Sequence, residues 1–169
     1  KYGQHPDGEQ HQKETLAFMN YSLQEDFDLS INLHTGAEVC NYPWDTRKEN
    51  ERRHPDTEWF ISLCQEFVSQ VRNAGGQNYF SDVTYSGITN GGDWYKIYGS
   101  RQDWQNWYTK ARELTLEVST TKTPSSNLLP LYWNKLKEGL ISFMNNSLTG
   151  VEGVIKDINS QQTIENATI

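Results

Sequence analysis

The chain has 169 residues and a formal net charge of −7, with six tryptophans and nine tyrosines. That length supports one domain with a real core. The acidic balance argues against a nucleic-acid partner, because phosphate binding needs clustered Lys and Arg, and it suits a cationic ligand. No apolar run approaches the roughly 18 residues that cross a membrane, so no transmembrane segment is expected. The chain opens on Lys1-Tyr2-Gly3-Gln4, neither a start methionine nor a leader, and closes on the alternating Asn166-Ala167-Thr168-Ile169. It reads as a piece of a longer protein.

The segment His5-Pro6-Asp7-Gly8-Glu9 is a turn, and residues 15–23 read as helix, with Leu16, Met19 and Leu23 on one face. Residues 27–33 alternate as a strand that runs into His34. Residues 39–42 form a further short extended piece, closed by Pro43. After a charged loop over residues 46–54, Pro55-Asp56-Thr57 starts the clearest helix. It carries Phe60, Leu63, Cys64, Phe67, Val68 and Val71 and stops at Ala74-Gly75-Gly76. Residues 77–107 are aromatic and glycine-rich, with neither a helical nor a strand period. A loop of that length is usually functional. Residues 113–119 alternate as a strand, Pro124 breaks it, and residues 131–145 form a last amphipathic helix. The character changes after Gly150, where residues 151–157 read as a strand with a turn behind it. Alternating strands and helices before that point give an α/β class.

Cys40 and Cys64 lie in apolar settings. Buried free thiols are the preferred reading, with a disulfide as the alternative. Asn-x-Ser/Thr sequons begin at Asn20, Asn145 and Asn166. His34 ends a strand, where ligand sites collect in α/β folds; taken alone it also reads as a polar residue capping a strand. Glu117 sits in the middle of an apolar strand. It is either solvent-facing or a base tuned by its surroundings. Asp45 follows Tyr42-Pro43-Trp44 and, on its own, reads as a solvated turn residue.

Together these segments carry a resemblance. Asn32-Leu33-His34-Thr35-Gly36 followed by Asn41-Tyr42-Pro43-Trp44-Asp45 resembles a paired motif of the carboxypeptidase N/E group of zinc metallocarboxypeptidases. Gly87-Ile88-Thr89-Asn90-Gly91 with Asp93-Trp94-Tyr95, then Gln102-Asp103-Trp104, then Glu113-Leu114-Thr115-Leu116-Glu117, are similar to that group's remaining blocks, in its order and spacing. The resemblance implies a mixed β-sheet with flanking helices over residues 1–149, the C-terminal half of a catalytic domain. It also implies the first strands of a transthyretin-like β-sandwich over residues 150–169.

The resemblance further implies roles. His34 is the third zinc ligand. Glu117 activates the zinc-bound water and shuttles protons. Tyr95 closes over the bound terminus. Asp45 and Gln102 shape the pocket for the C-terminal side chain, the aspartate favouring Lys or Arg. Such a zinc site takes three protein ligands and a water. No H-x-x-E motif precedes His34, and the Asn-Arg pair that grips the substrate carboxylate is also missing. The remainder of the same polypeptide is therefore expected to complete the site. Arg101 is expected to add positive charge near the pocket. The implied function is removal of C-terminal residues, Lys or Arg, from peptides or proteins in a secreted, periplasmic or extracellular setting. The alternative is a non-catalytic carboxypeptidase-like binding or scaffold protein. The helices argue against a third reading, an all-β binding module.

Overall fold

The computed structural model describes residues 8–150 and 154–164. Helix α1 spans Lys13–Glu25, strand β1 Leu29–His34 and strand β2 Ala37–Tyr42. Helix α2 spans Thr57–Gly75 and β3 Ile88–Asn90. Two single-turn helices follow, α3 (Gly91–Trp94) and α4 (Arg101–Trp104), and a π-helical stretch, Gln105–Thr109, extends α4. Strand β4 is Arg112–Ser119 and helix α5 is Leu129–Asn145.

The four strands form one mixed sheet in the order β1-β4-β2-β3. β4 runs parallel to β1 and antiparallel to β2, and β2 runs parallel to β3. The fold is therefore α/β, with a mixed sheet flanked by helices. Only Thr35 and Gly36 join β1 to β2, yet β4 lies between those strands. The chain crosses the end of β4 there: Gly36 adopts φ +126° and its N–H donates to Ser119 O at 2.7 Å. That φ lies in a region open mainly to glycine.

One apolar face of the sheet forms the core. Cys40, Tyr42, Leu114 and Leu116 pack with Phe60, Leu63, Phe67, Val68 and Val71 of α2, and with Leu136 and Phe143 of α5. The α2 spacing presents that face because apolar residues recur every three or four positions. α2 ends at Gly76, whose φ is +94° and whose N–H caps Arg72 O at 2.9 Å. Pro130 occupies the first turn of α5, where its missing N–H costs nothing. α5 packs closely on α2 because Gly139 has no side chain; a Cβ there would lie 2.9 Å from the Phe67 ring.

Several expectations need correction. The cysteines are buried but not free. Cys40 and Cys64 form a disulfide that ties β2 to α2, with Cα atoms 5.9 Å apart. Residues 77–107 are not one irregular loop: β3, α3 and α4 lie within them, each too short to show a period. The strand expected at residues 151–157 begins outside the described residues. Residues 154–164 fold back on themselves, with Lys156 bridging Thr163.

Candidate functional site

The polar face of the sheet is set by strand parity. Leu114 and Leu116 point into the core against α2, so Glu113, Thr115 and Glu117 face the other way. On β1, Ser30, Asn32 and His34 stand opposite those three residues in register. Each glutamate bonds its register partner. Ser30 Oγ donates to Glu113 Oε2 at 2.6 Å, and His34 Nδ1 lies 2.7 Å from Glu117 Oε1. Glu117 is 6% exposed, while the His34 side chain is open to solvent. The other Glu117 oxygen, Oε2, is buried without a hydrogen-bond partner among the described residues.

A second cluster forms where the end of β2 meets α4. Asp45, only 3% exposed, follows the cis Pro43–Trp44 peptide. Its Oδ1 accepts from Gln102 Nε2 at 3.0 Å and from Asn41 Nδ2 at 3.3 Å. Gln102 Nε2 also reaches Asn41 Oδ1 at 3.3 Å, and Gln102 Oε1 is buried with no donor among the described residues. No cationic side chain among the described residues pairs with Asp45. Burial pushes its carboxyl up to about 6, opposed by bonds from Ser100 and Asn41 and reinforced by the charges of Asp103 and Glu113. Asp45 is thus a desolvated acid beside an unused acceptor oxygen, not the solvated turn residue that it resembles in isolation.

Tyr95 stands just after α3, half-exposed, with its ring edge-on to Trp94. Partial burial raises its phenol first, then the negative charges of Glu117 and Asp45. The phenol therefore lies within electrostatic reach of both clusters. Arg101 does not supply charge to the Asp45 pocket as expected. Its Nε bonds Glu113 Oε2 at 3.0 Å, one terminal nitrogen bonds Ser30 Oγ at 3.0 Å, and the guanidinium lies 4.4 Å over the Phe18 ring. The fully buried Glu113 takes that charge instead.

Asn41, Gly91, Ser100 and Asp103 carry no role in the sequence motifs, although all but Ser100 lie inside them. A cavity of about 950 Å³ lies close by, lined by Phe18, Trp44, Arg101, Asp103, Trp104 and Trp107. None of His34, Asp45, Tyr95, Gln102 or Glu117 lines it. Among the described residues, no three His, Cys, Asp or Glu side chains gather as a metal site would require. His34 suits one zinc ligand, an accessible imidazole held by a carboxylate. No helix among the described residues is long and apolar enough to cross a membrane.

The α/β sheet thus carries an imidazole–carboxylate pair, and a buried acid lies beyond the end of β2. Residues 2–139 match the family described as zinc carboxypeptidase, and the chain belongs to that family. It is 34% identical over 166 residues to carboxypeptidase D of Mus musculus, covering 94% of this chain and 12% of the mouse protein. It is 36% identical over 154 residues to carboxypeptidase M of Mus musculus, covering 86% of this chain and 35% of that protein. Carboxypeptidase E of Caenorhabditis elegans is 30% identical over 172 residues, with 94% of this chain and 36% of the relative covered. The chain thus spans about an eighth to a third of the relatives it matches. The crystal structure of thrombin activatable fibrinolysis inhibitor superposes with a TM-score of 0.59 at 17% identity, over 82% of this chain and 33% of that one. That likeness concerns the fold.

Proposed function

We propose that this chain recognises peptide or protein C-termini ending in Lys or Arg, as the recognition portion of a zinc carboxypeptidase-type protein. One observation carries the reading: among the described residues, Asp45 is a buried carboxylate without a cation, next to a Gln102 Oε1 without a donor. A substrate ammonium or guanidinium supplies the missing charge and donors at once. An apolar terminus leaves both acceptors desolvated and unmet. Tyr95, exposed and within reach of both clusters, is placed to close over the bound end.

Hydrolysis is the further part of the proposal. Zinc, when bound, polarises the scissile carbonyl and lowers the pKa of its water. His34 is one ligand; the other two come from elsewhere in the polypeptide. Glu117 takes a proton at the partnerless Oε2 and returns it to the leaving amine. A specific observation favours the second reading, binding without hydrolysis. Within the described chain, His34 and Glu117 bond each other and no three-ligand cluster forms. On its own residues, the chain offers recognition more completely than it offers chemistry. The Cys40–Cys64 disulfide supports a secreted, periplasmic or extracellular setting. Two titratable thiols in the protein as isolated from its source would count against that setting.

The recognition reading is tested with peptides ending in Arg, Lys, Leu and Phe, offered to the full-length polypeptide and to its Asp45→Ala variant. The unmodified protein should prefer Arg and Lys. Losing one partner of a buried charge pair typically costs about 2–5 kcal/mol, so the preference should collapse in the variant. A wild-type preference for Leu or Phe would sink the reading. So would an effect under about 0.5 kcal/mol, the size expected of a surface residue.

A further inference from the structure

Asp45 is held by its backbone as well as by its side chain, and the group that takes its N–H is another carboxylate. Asp103, on α4, accepts the Asp45 N–H at Oδ1 (2.7 Å). Its Oδ2 accepts the Thr46 N–H at 3.0 Å and the Thr46 hydroxyl at 2.8 Å. Two successive loop amides therefore converge on one acid, which fixes the peptide plane between them. The Asp103 N–H in turn donates to Ser100 Oγ at 3.1 Å, and the Ser100 side chain bonds the Asp45 carboxylate. The opposite wall is Gly91: a Cβ there would lie 1.9 Å from Asp45 Oδ1 and 2.9 Å from Asn41 Oδ1. The carboxylate fits only because that wall has no side chain. A buried acid beside a half-buried one is repelled by it, so their adjacency calls for a physical reason. Three donated hydrogen bonds stabilise the Asp103 anion where it stands.

We propose that Asp103 is the positioning residue of the pocket, holding the Asp45 loop by its backbone so that the Asp45 carboxylate sits against Gly91 and faces the substrate side chain. Asp103 touches no substrate atom; it acts through Asp45. The inference rests on the reading of Asp45 as the selector for Lys and Arg.

The test measures the dissociation constants, and where the peptides are cleaved kcat and KM, of peptides ending in Arg and in Leu for the full-length polypeptide and its Asp45→Ala, Asp103→Ala and Asp103→Asn variants. Asp103→Ala should lower the Arg-over-Leu ratio of kcat/KM at least about tenfold, the loss residing in KM for the Arg peptide. Asp103→Asn keeps an acceptor oxygen for one of the two amides and should fall between. KM does not depend on how much protein folds, so a poorly yielding variant still reports. If Asp45→Ala loses the preference while both Asp103 variants keep it, the positioning role is overturned and the pocket reading stands. If Asp45→Ala keeps the preference, the pocket reading itself is overturned. A fall in kcat alone, equal for both peptides, would make Asp103 a structural residue only.

Discussion

At the scale of single residues, the pocket acid works against the stability of the fold that carries it. The Asp45 carboxyl sits at about 6 against an ordinary 3.8. The folded state therefore holds a proton that the unfolded state has released between those two values. The stability this group contributes is full below about pH 4 and is lost as pH rises through about 6. Asp45→Asn keeps the Oδ1 that accepts from Gln102 and Asn41 and removes the charge. The variant should match the parent near pH 4 and exceed it above pH 7 by on the order of 3 kcal/mol. Urea melts of the full-length polypeptide at several pH values would show this, and no gain above pH 7 would mean that Asp45 is better solvated than its burial implies. His54 has the opposite slope. Buried between Trp44 and Phe60, with Nδ1 accepting the Asp56 N–H, its imidazole is pushed down to about 4. Its contribution is lost as pH falls from about 6.5 toward 4. The two groups oppose each other in the parent protein, and the Asn variant leaves the histidine slope exposed.

At the scale of elements, close approach decides what each can tolerate. Gly139→Ala would gain up to about 1 kcal/mol of helix propensity. The added Cβ, however, would meet the buried Phe67 ring at 2.9 Å. Overpacking of that kind costs about 1–3 kcal/mol. The variant should therefore melt at lower denaturant than the parent, and a higher midpoint would mean that α5 shifts freely on α2. The long elements were legible in the sequence because their period repeats. α2 shows its apolar face over five turns, and β4 shows strict alternation. Residues 88–104 hold three elements of three or four residues, none long enough to complete a pattern. The Cys40–Cys64 bond was illegible for another reason: local apolar character reports burial and says nothing of the distance between two buried sulfurs.

At the scale of the whole molecule, the two clusters of the site are brought together by the sheet, not by sequence proximity. His34 meets Glu117, 83 positions away in the chain, only because β1 and β4 pair in that register. The quoted motifs identified both residues, and Asp45 with Gln102, through resemblance. No local pattern revealed that Asp45 lacks a cation or that Asp103 secures its loop. Whether recognition is followed by hydrolysis belongs to this scale too, since the described residues hold no three-ligand cluster. Glu117→Gln in the full-length, zinc-loaded protein should lower turnover at least about a hundredfold, with zinc content and peptide affinity kept. A parent protein that binds these peptides but never cleaves them would establish the binding reading instead.

The two-residue link between β1 and β2 also has a consequence for how this sheet comes together. These strands leave a gap one strand wide, and its occupant, β4, is translated some seventy residues later. Until residues 112–119 leave the ribosome, the gap has unmet amides and carbonyls on both sides, and β1 has no partner among the described strands. Contacts this distant in sequence are reached slowly, because a long loop must close before any of them forms. For the nascent chain, open edges are templates for mispairing with other chains. The strand that carries the proposed base is therefore the one that closes the sheet, so the polar face with its histidine–glutamate pair is among the last parts of the fold to exist.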